Sequence, residues 1–367
     1  MSSTFNLQDT RKLFGKASQT DATVSITDPI AHKLLKSRIA PVTYNRKFMF
    51  ARMAKGETSV FKEFKSPLRL QHKSDSNHIS EILSSISNSG IEHKIRTRAG
   101  QNHQWRYYTV QNLVKKWQRQ KARINVTDLH LRDTAIEKTI STRLLSEFNL
   151  LSNAPECLSW IEMMTLVVSS ARGFSDSHSD DCDGSNHCFT GKKLWLAWET
   201  QEGINAGLED LDRQMVSGGP ISAKCAFDIE TFATLPSAHW FTVEPGQTLF
   251  MPGHFTHKVI TLEPYLGVGS FYLAFPNILR TLSRWLVQKP NWEHLESRSL
   301  KEQLYPALKN TYTQKLKTLS LANHKTQEKW GLPFIRDSIE HWKSNALATE
   351  IAAITESEFD GILAWSS

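Results

Sequence analysis

Three side chains in this 367-residue chain have the types and spacing to hold a metal ion. His178 and Asp180 stand two residues apart in the segment 174–180, FSDSHSD. In a strand, residues i and i+2 point to the same face, so one imidazole and one carboxylate converge on one point. A His-x-Asp pair alone is a weak signal, because it arises often by chance. It gains force from His257, 79 residues after His178, where a turn at Pro252-Gly253 feeds the β-branched run Lys258-Val259-Ile260. Two histidines and one carboxylate on two strands form a facial set suited to Fe(II), with open positions for a cosubstrate and O2. His254 and His239 compete for the distal position. His254 sits inside the turn, whereas His257 opens a strand, so His257 is preferred. If the first strand is regular, Asp176 shares its face as a backup ligand or as a group that orients an imidazole.

The elements that must position these residues read as short strands. Residues 160–170, WIEMMTLVVSS, form a near-continuous apolar run, as expected of a buried strand. Ala171-Arg172-Gly173 turns the chain into the first ligand segment. A polar, turn-rich loop is expected over 181–188, then Gly191 and the apolar run 194–198. Cys182, His187 and Cys188 crowd that loop, but they lack the paired Cys-x-x-Cys geometry of a zinc site. A substrate lid or other loop chemistry is the preferred role. Residues 203–219 read as an insertion. Further strands are expected at 240–243, 248–251, 257–262 and 266–274, bounded by Pro and Gly. Such regular spacing fits an all-β barrel.

The flanks differ. Residues 1–30 are polar, Ser/Thr-rich and aperiodic, which predicts a disordered or loosely packed tail. Ile79, Ile82, Leu83 and Ile86 predict one short helix. Val110, Leu113, Val114 and Trp117 form the stripe of a second, capped by Thr109. A strand is expected over 124–131. After Pro276 three helical stripes follow: Leu279, Leu282, Trp285 and Leu286; Leu300, Leu304, Leu308, Tyr312 and Leu316; and Ile335, Ile339, Trp342 and Ala346. The division this suggests is a basic, partly disordered region at 1–75, a helical and strand support at 76–159, a β core at 160–276 and a helical region at 277–367.

Composition narrows the class. There is no run of 18 apolar residues, so no transmembrane helix and no membrane partner are expected. Residues 1–16 lack the apolar core of a secretory signal. Four cysteines, Cys157, Cys182, Cys188 and Cys225, do not make a disulfide framework, and a reducing, intracellular compartment is expected, nuclear or cytoplasmic. The net charge of +7 hides an asymmetry. Residues 1–150 hold 26 Lys and Arg against 12 Asp and Glu, while residues 151–276 hold 6 against 15. The basic N-terminal region is the candidate surface for nucleic acid or an acidic partner. A solvated surface balancing the acidic core is the plainer reading. Nothing in the sequence specifies an oligomeric state.

The ordered set His178-x-Asp180, Gly191-x-Lys193-x-Trp195, and Gly246-Gln247-Thr248-Leu249-Phe250-Met251-Pro252 followed by His257-Lys258-Val259 resembles a Jumonji C (JmjC) domain. The match covers roughly 160–276, about a third of the chain. The resemblance implies a mainly β fold, a cupin-like double-stranded β-helix (jelly-roll) with flanking helices. It implies Fe(II) on His178, Asp180 and His257, with 2-oxoglutarate and O2 as cosubstrates. Lys193, fifteen residues after His178, matches the family lysine that pairs with the distal carboxylate of 2-oxoglutarate. A lysine inside a barrel needs such a counter-charge. Ser175 matches a hydroxyl position on the same carboxylate, and Asn186 an Asn near the cosubstrate. The family's polar residue on the strand after the distal histidine has Ser270 as its nearest equivalent here.

The activity so implied is hydroxylation of a protein side chain, or demethylation of methyl-lysine with a histone-type substrate. Two other readings stand beside it. One is a non-enzymatic JmjC-like module that binds chromatin or nucleic acid; the intact ligand set argues against it. The other is a small-molecule cupin oxygenase that needs no 2-oxoglutarate, and Lys193 is the residue that discriminates.

Overall fold

The computed structural model describes residues 5–18, 26–62, 94–99, 104–118, 124–130, 149–150, 164–180, 182–208, 228–253, 255–288, 298–345, 352 and 354. The strands are β1 (Val42–Thr43), β2 (Ser59–Lys62), β3 (Lys94–Ala99), β4 (Gln104–Thr109), β5 (Ile124–His130), β6 (Met164–Ser169), β7 (Phe174–Ser179), β8 (Asp183–Glu199), β9 (His239–Val243), β10 (Thr248–Met251) and β11 (Phe255–Tyr272). They join in the order β1-β2-β10-β8-β11-β6-β5-β3-β4, with β7 added on β11 and β9 on β8. The sheet is mixed: β1 and β2 run parallel and the other pairs antiparallel.

β8 and β11 organise this sheet. They span 17 and 18 residues, about three times the usual strand. They pair with each other almost end to end, and the register shifts between Thr261 and Gly267. At that bend Gly191 adopts φ +83°, and a Cβ there would collide with the Pro264 carbonyl. On one side of the bend the strands run β9-β8-β11-β7, and on the other β2-β10-β8-β11-β6. Side chains of both halves meet in one buried cluster. The first half contributes Trp195, Ala197, Phe241, Phe255 and Val259; the second contributes Val60, Val167, Cys188, Leu249 and Tyr265. The two halves therefore face each other across a shared interior.

Helices cover the outer faces. Leu194, Leu196, Trp198 and Trp240 turn away from the interior and meet Phe14, Ala17, Ile30 and Leu34 of the helices Leu7–Ser18 and Asp28–Lys36. The run 194–198 is apolar throughout because both of its faces are buried. The loose tail expected over residues 1–30 is therefore, across these helices, packed structure. Phe14 edges onto Trp240 at 5.1 Å, and the Trp240 indole N–H donates to the Leu34 carbonyl. A few apolar residues docking on an existing sheet outweigh a polar composition that cannot form a core alone.

The other half is covered by Met49, Phe50 and Met53 of the helix Arg46–Ala54, and by Val110, Leu113 and Val114 of the helix Val110–Gln118. The expected Thr109 cap forms, its Oγ1 accepting the Asn112 N–H at 3.3 Å. From the helices Ile278–Gln288, Arg298–Ser320 and Ile335–Asn345, Leu282, Trp285, Leu308, Tyr312, Ile339 and Trp342 are buried in a separate cluster, while the side chains of Leu300 and Leu304 lie outside those described. Among the described residues no helix is long and apolar enough to cross a membrane. The helix expected over 79–86, most of the insertion at 203–219, His254, Ala346, Cys157 and Cys225 lie outside the described residues.

Two expectations about strands change. The strands expected at 257–262 and 266–274 are one continuous β11. The loop expected over 181–188 is strand from Asp183 onward, because Ser185, Asn186 and His187 are ladder partners of β10 and β11 despite their polarity.

Asp183 ties the sheet to the C-terminal helices. It is fully buried, and its carboxylate accepts from the Gly253 N–H at 2.9 Å, the Ala274 N–H at 2.8 Å and the Asn277 side-chain amide. This clasp holds the Pro252-Gly253 turn just before His257. Asp183→Ala strands three buried donors and should cost about 3 kcal/mol. The check is a drop in urea midpoint at unchanged m-value.

Candidate metal centre

His178 and His257 face each other directly across the β7–β11 ladder. Their ring centroids lie 4.3 Å apart. Asp180 follows the end of β7, and its two oxygens lie 3.9 Å from His178 Nε2 and 3.8 Å from His257 Nε2. The three ligand atoms all fall within 4.8 Å of one another, so one ion can take all three. Among the described residues this is the one such group. His257 is buried, while His178 and Asp180 are partly exposed, so the ligands line an accessible side of the interior.

The backbone sets the imidazoles in advance. His178 Nδ1 lies 2.6 Å from the Asp176 carbonyl and His257 Nδ1 lies 3.1 Å from the Phe255 carbonyl. Each Nδ1–H donates to its carbonyl, which leaves the Nε2 lone pair turned toward Asp180. Burial, reinforced by the neighbouring His178, pushes the His257 pKa well below its ordinary value, so the imidazole stays in the neutral form a ligand requires. Trp195 stacks on the other side of the His257 ring at 5.4 Å.

The remaining residues divide by face. Lys193 is 2 % exposed and points into the shared interior, with Nζ 4.8 Å from the centroid of Tyr265. Burial lowers its pKa to about 7, the Cys188 thiol pulling the other way. Among the described residues no carboxylate pairs with it, whereas Lys192 turns outward to Glu244. Asn186 is in the same interior, its Oδ1 accepting from the Tyr265 hydroxyl. Ser175 shares the His178 row and accepts from the Asn125 amide at 3.0 Å. Tyr265 belongs to this group and carries no sequence signal, because it sits at the bend where strand alternation breaks.

Two expectations do not survive, and the residues disfavoured as a zinc site form no such group among the described residues. Between the pairs His257–His178 and Val259–Ser175, Lys258 lies opposite two residues, Asp176 and Ser177. This β-bulge puts Ser175, not Asp176, in the row with His178. Asp176 serves through its carbonyl instead. Ser270 pairs with Met164 and Ser185, in the row of Phe250, on the outer face of β11. It is turned away from Lys193 by simple alternation from Gly269. Cys182, His187 and Cys188 point into different surroundings. Cys182 packs in the C-terminal helical cluster, and Cys188 in the shared interior, where burial pushes its thiol up to about 12. His187 Nδ1 pairs with Thr248 Oγ1 at 2.7 Å on the outer face. A zinc site there is excluded by direction alone.

His239, the other candidate for the distal position, is not a ligand in this group. It stands two strands from His257 across Ala197, with Nδ1 2.9 Å from the Ser237 carbonyl. Burial lowers its pKa to about 4.

Three outcomes follow from this geometry. Removing a ligand by His178→Ala, Asp180→Ala or His257→Ala should weaken Mn(II) binding by more than the roughly 10–100-fold cost of losing an outer partner. Ser270→Ala should leave calorimetric Mn(II) affinity unchanged. His239 stays neutral in the folded protein at pH values where the unfolded chain, with an ordinary pKa near 6.5, takes up a proton. The unfolded state therefore binds more protons below pH 6.5, and stability falls as the pH drops toward 4. At pH 5 this one residue should account for about 2 kcal/mol of the loss relative to pH 7.5, and His239→Phe should remove that share from urea melts. No protein-family model and no curated protein matches this chain.

Proposed function

We propose that this protein is an Fe(II)- and 2-oxoglutarate-dependent oxygenase of the JmjC type, built on a cupin-type double-stranded β-helix and acting on a protein side chain. The observation that carries the reading is the pairing of two features in one interior. A facial His178–Asp180–His257 set lies on the β7–β11 ladder and the residue just past β7, and a buried lysine with no carboxylate partner among the described residues lies on β8. Either feature alone has many explanations. Together they form a cation site and an anion site that a chelating dicarboxylate can bridge. The two long bent strands shared by facing half-sheets support the fold assignment.

Each residue has a definable task. His178, Asp180 and His257 would hold Fe(II) through two nitrogens and one oxygen, leaving further positions open. Iron would supply the site at which O2, the oxidant, takes two electrons from 2-oxoglutarate, giving succinate and CO2, and two from the substrate C–H bond, which is hydroxylated; where that carbon is bound to nitrogen the product loses formaldehyde and the methyl group is removed. Lys193 binds the distal carboxylate, and the ion pair restores the charged ammonium that burial disfavours. Ser175 can add a hydroxyl donor to the cosubstrate region. The Tyr265–Asn186 hydrogen bond holds the wall beside Lys193. Trp195 fixes the plane of the His257 ring and excludes water from that side.

Purified protein supplied with Fe(II) and 2-oxoglutarate should form succinate, and His178→Ala should stop it. Succinate formation undiminished in that variant would overturn the proposal. Lys193→Ala should raise the 2-oxoglutarate requirement by roughly 10- to 100-fold, the loss of one charge-assisted hydrogen bond. Metal binding with no effect of Lys193→Ala would point instead to a cupin metalloenzyme that does not use 2-oxoglutarate. Lys193 also predicts a proton balance. With its pKa near 7 it is mostly neutral at pH 8, and a bound carboxylate raises that pKa. Binding of 2-oxoglutarate at pH 8 should take up close to one proton, seen by calorimetry in buffers of different ionisation enthalpy, and Lys193→Met should abolish the uptake.

A further inference from the structure

Beside the metal centre, the interior contains one buried acceptor and one buried donor that the reading above does not use. On β9 and β8, His239 lies opposite Ala197 and Phe241 opposite Trp195. Ala197 lies opposite His257 on β11. His239 thus shares one cross-strand row with both metal-ligating histidines. His239 and Trp195 are diagonal neighbours on one face, about 7–8 Å apart in backbone and within reach of one small group.

The hydrogen-bond roles of the two atoms follow from their partners. His239 Nδ1 faces the Ser237 carbonyl at 2.9 Å, so it carries the proton and leaves Nε2 as an acceptor. The indole Nε1 of Trp195 is a donor only. Both atoms are buried, and neither has a hydrogen-bond partner among the described residues. Buried polar atoms in folded proteins are nearly always paired, so two open ones on the same face mark a place for a ligand. The surroundings are flat and apolar. The His239 ring stacks near Phe241 at 6.2 Å and is tilted against Phe255 at 5.3 Å, and Phe241 stacks on Trp195 at 6.2 Å.

We propose that His239 Nε2 and Trp195 Nε1–H together bind a neutral carboxamide of the substrate, an Asn or Gln side chain or a peptide group, next to the metal centre. The amide N–H donates to His239 and the amide carbonyl accepts from Trp195, while the phenyl rings receive its flat faces. An ammonium group fits poorly. It has no acceptor to match the indole donor, and His239 is held neutral by burial with the positive charge of Arg52 acting in the same direction. The assignment rests on the centre being the reaction site proposed above, and it narrows the substrate toward a neutral amide and away from a methylated lysine.

The test uses the full chain, with benzamide and benzylammonium as probes of similar size, one a planar neutral amide and the other a cation with no acceptor. In protein labelled with 15N at histidine and tryptophan, benzamide should shift the His239 Nε2 and Trp195 indole resonances saturably, and benzylammonium should not. His239→Phe and Trp195→Phe keep a ring and identify the two signals; the first removes Nε2 together with the Nδ1–H that donates to the Ser237 carbonyl, and the second removes the indole N–H. Each should weaken benzamide binding by about 3- to 10-fold, and His239→Gln, which keeps an acceptor, should restore most of it. A proton on His239 Nε2, no response to benzamide, or an equal response to benzylammonium overturns the proposal. The wild-type comparison alone decides the matter if a variant fails to fold. Protein that turns over 2-oxoglutarate but ignores benzamide would sink the amide site alone. Protein that binds benzamide but neither holds metal nor consumes 2-oxoglutarate would sink the oxygenase reading and leave the amide site standing.

Discussion

The continuous pairing of β8 with β11 is the constraint on which the rest of the molecule depends. Each strand is too long to lie flat in one sheet, and each bends where Gly191 meets the carbonyl of Pro264. Because the pairing persists through the bend, both strands contribute to both half-sheets. One end of the pair carries β7 and β9, and the other carries β6 and β10. Residues far apart in the chain are thereby set on facing walls of one interior. His257 meets His178 only because β7 docks on the free edge of β11.

The interior is apolar in most of its lining, yet it holds Lys193, His257, Asn186 and Tyr265. Burying such groups is costly unless each finds a partner. Some partners are internal: the Tyr265 hydroxyl bonds to Asn186, and the histidine Nδ1 atoms bond to backbone carbonyls. Others are not. A lysine with no carboxylate partner among the described residues, and imidazole and carboxylate atoms that converge at close range, are groups that an anion and a metal ion could pair with. The outer faces show the contrast. There Trp240, Phe50 and Trp285 pack against helices, and stability is served by apolar contact.

The departures of the structure from what residue order implies share a cause. Asp176 was placed with His178 on the assumption of regular alternation, and a single bulged residue reverses that phase. The family resemblance points to Ser270 as the polar residue on the strand after His257, but the bend at 261–267 resets which residues of β11 face inward. Residues 183–188 look like a loop because they are polar, and they form strand because neighbouring strands on both edges satisfy their backbone. The N-terminal segment looks unstructured because it carries too few apolar residues for a core of its own. It needs only Phe14, Ala17, Ile30 and Leu34 to dock on a core already present.

Local spacing determined what local physics controls. His178 and Asp180, two apart in a strand, the Pro252-Gly253 turn ahead of His257, the apolar stripe of the helix Val110–Gln118, and the stripes after Pro276 were all readable from residue order. Those features depend on backbone periodicity and on steric preferences of a few adjacent residues. The tertiary structure alone decided the positions of Tyr265, Asp183 and His239 and the faces of Ser270 and Asp176. These depend on register between strands dozens of residues apart, and one bulge or one bend changes that register without leaving a mark in composition or spacing.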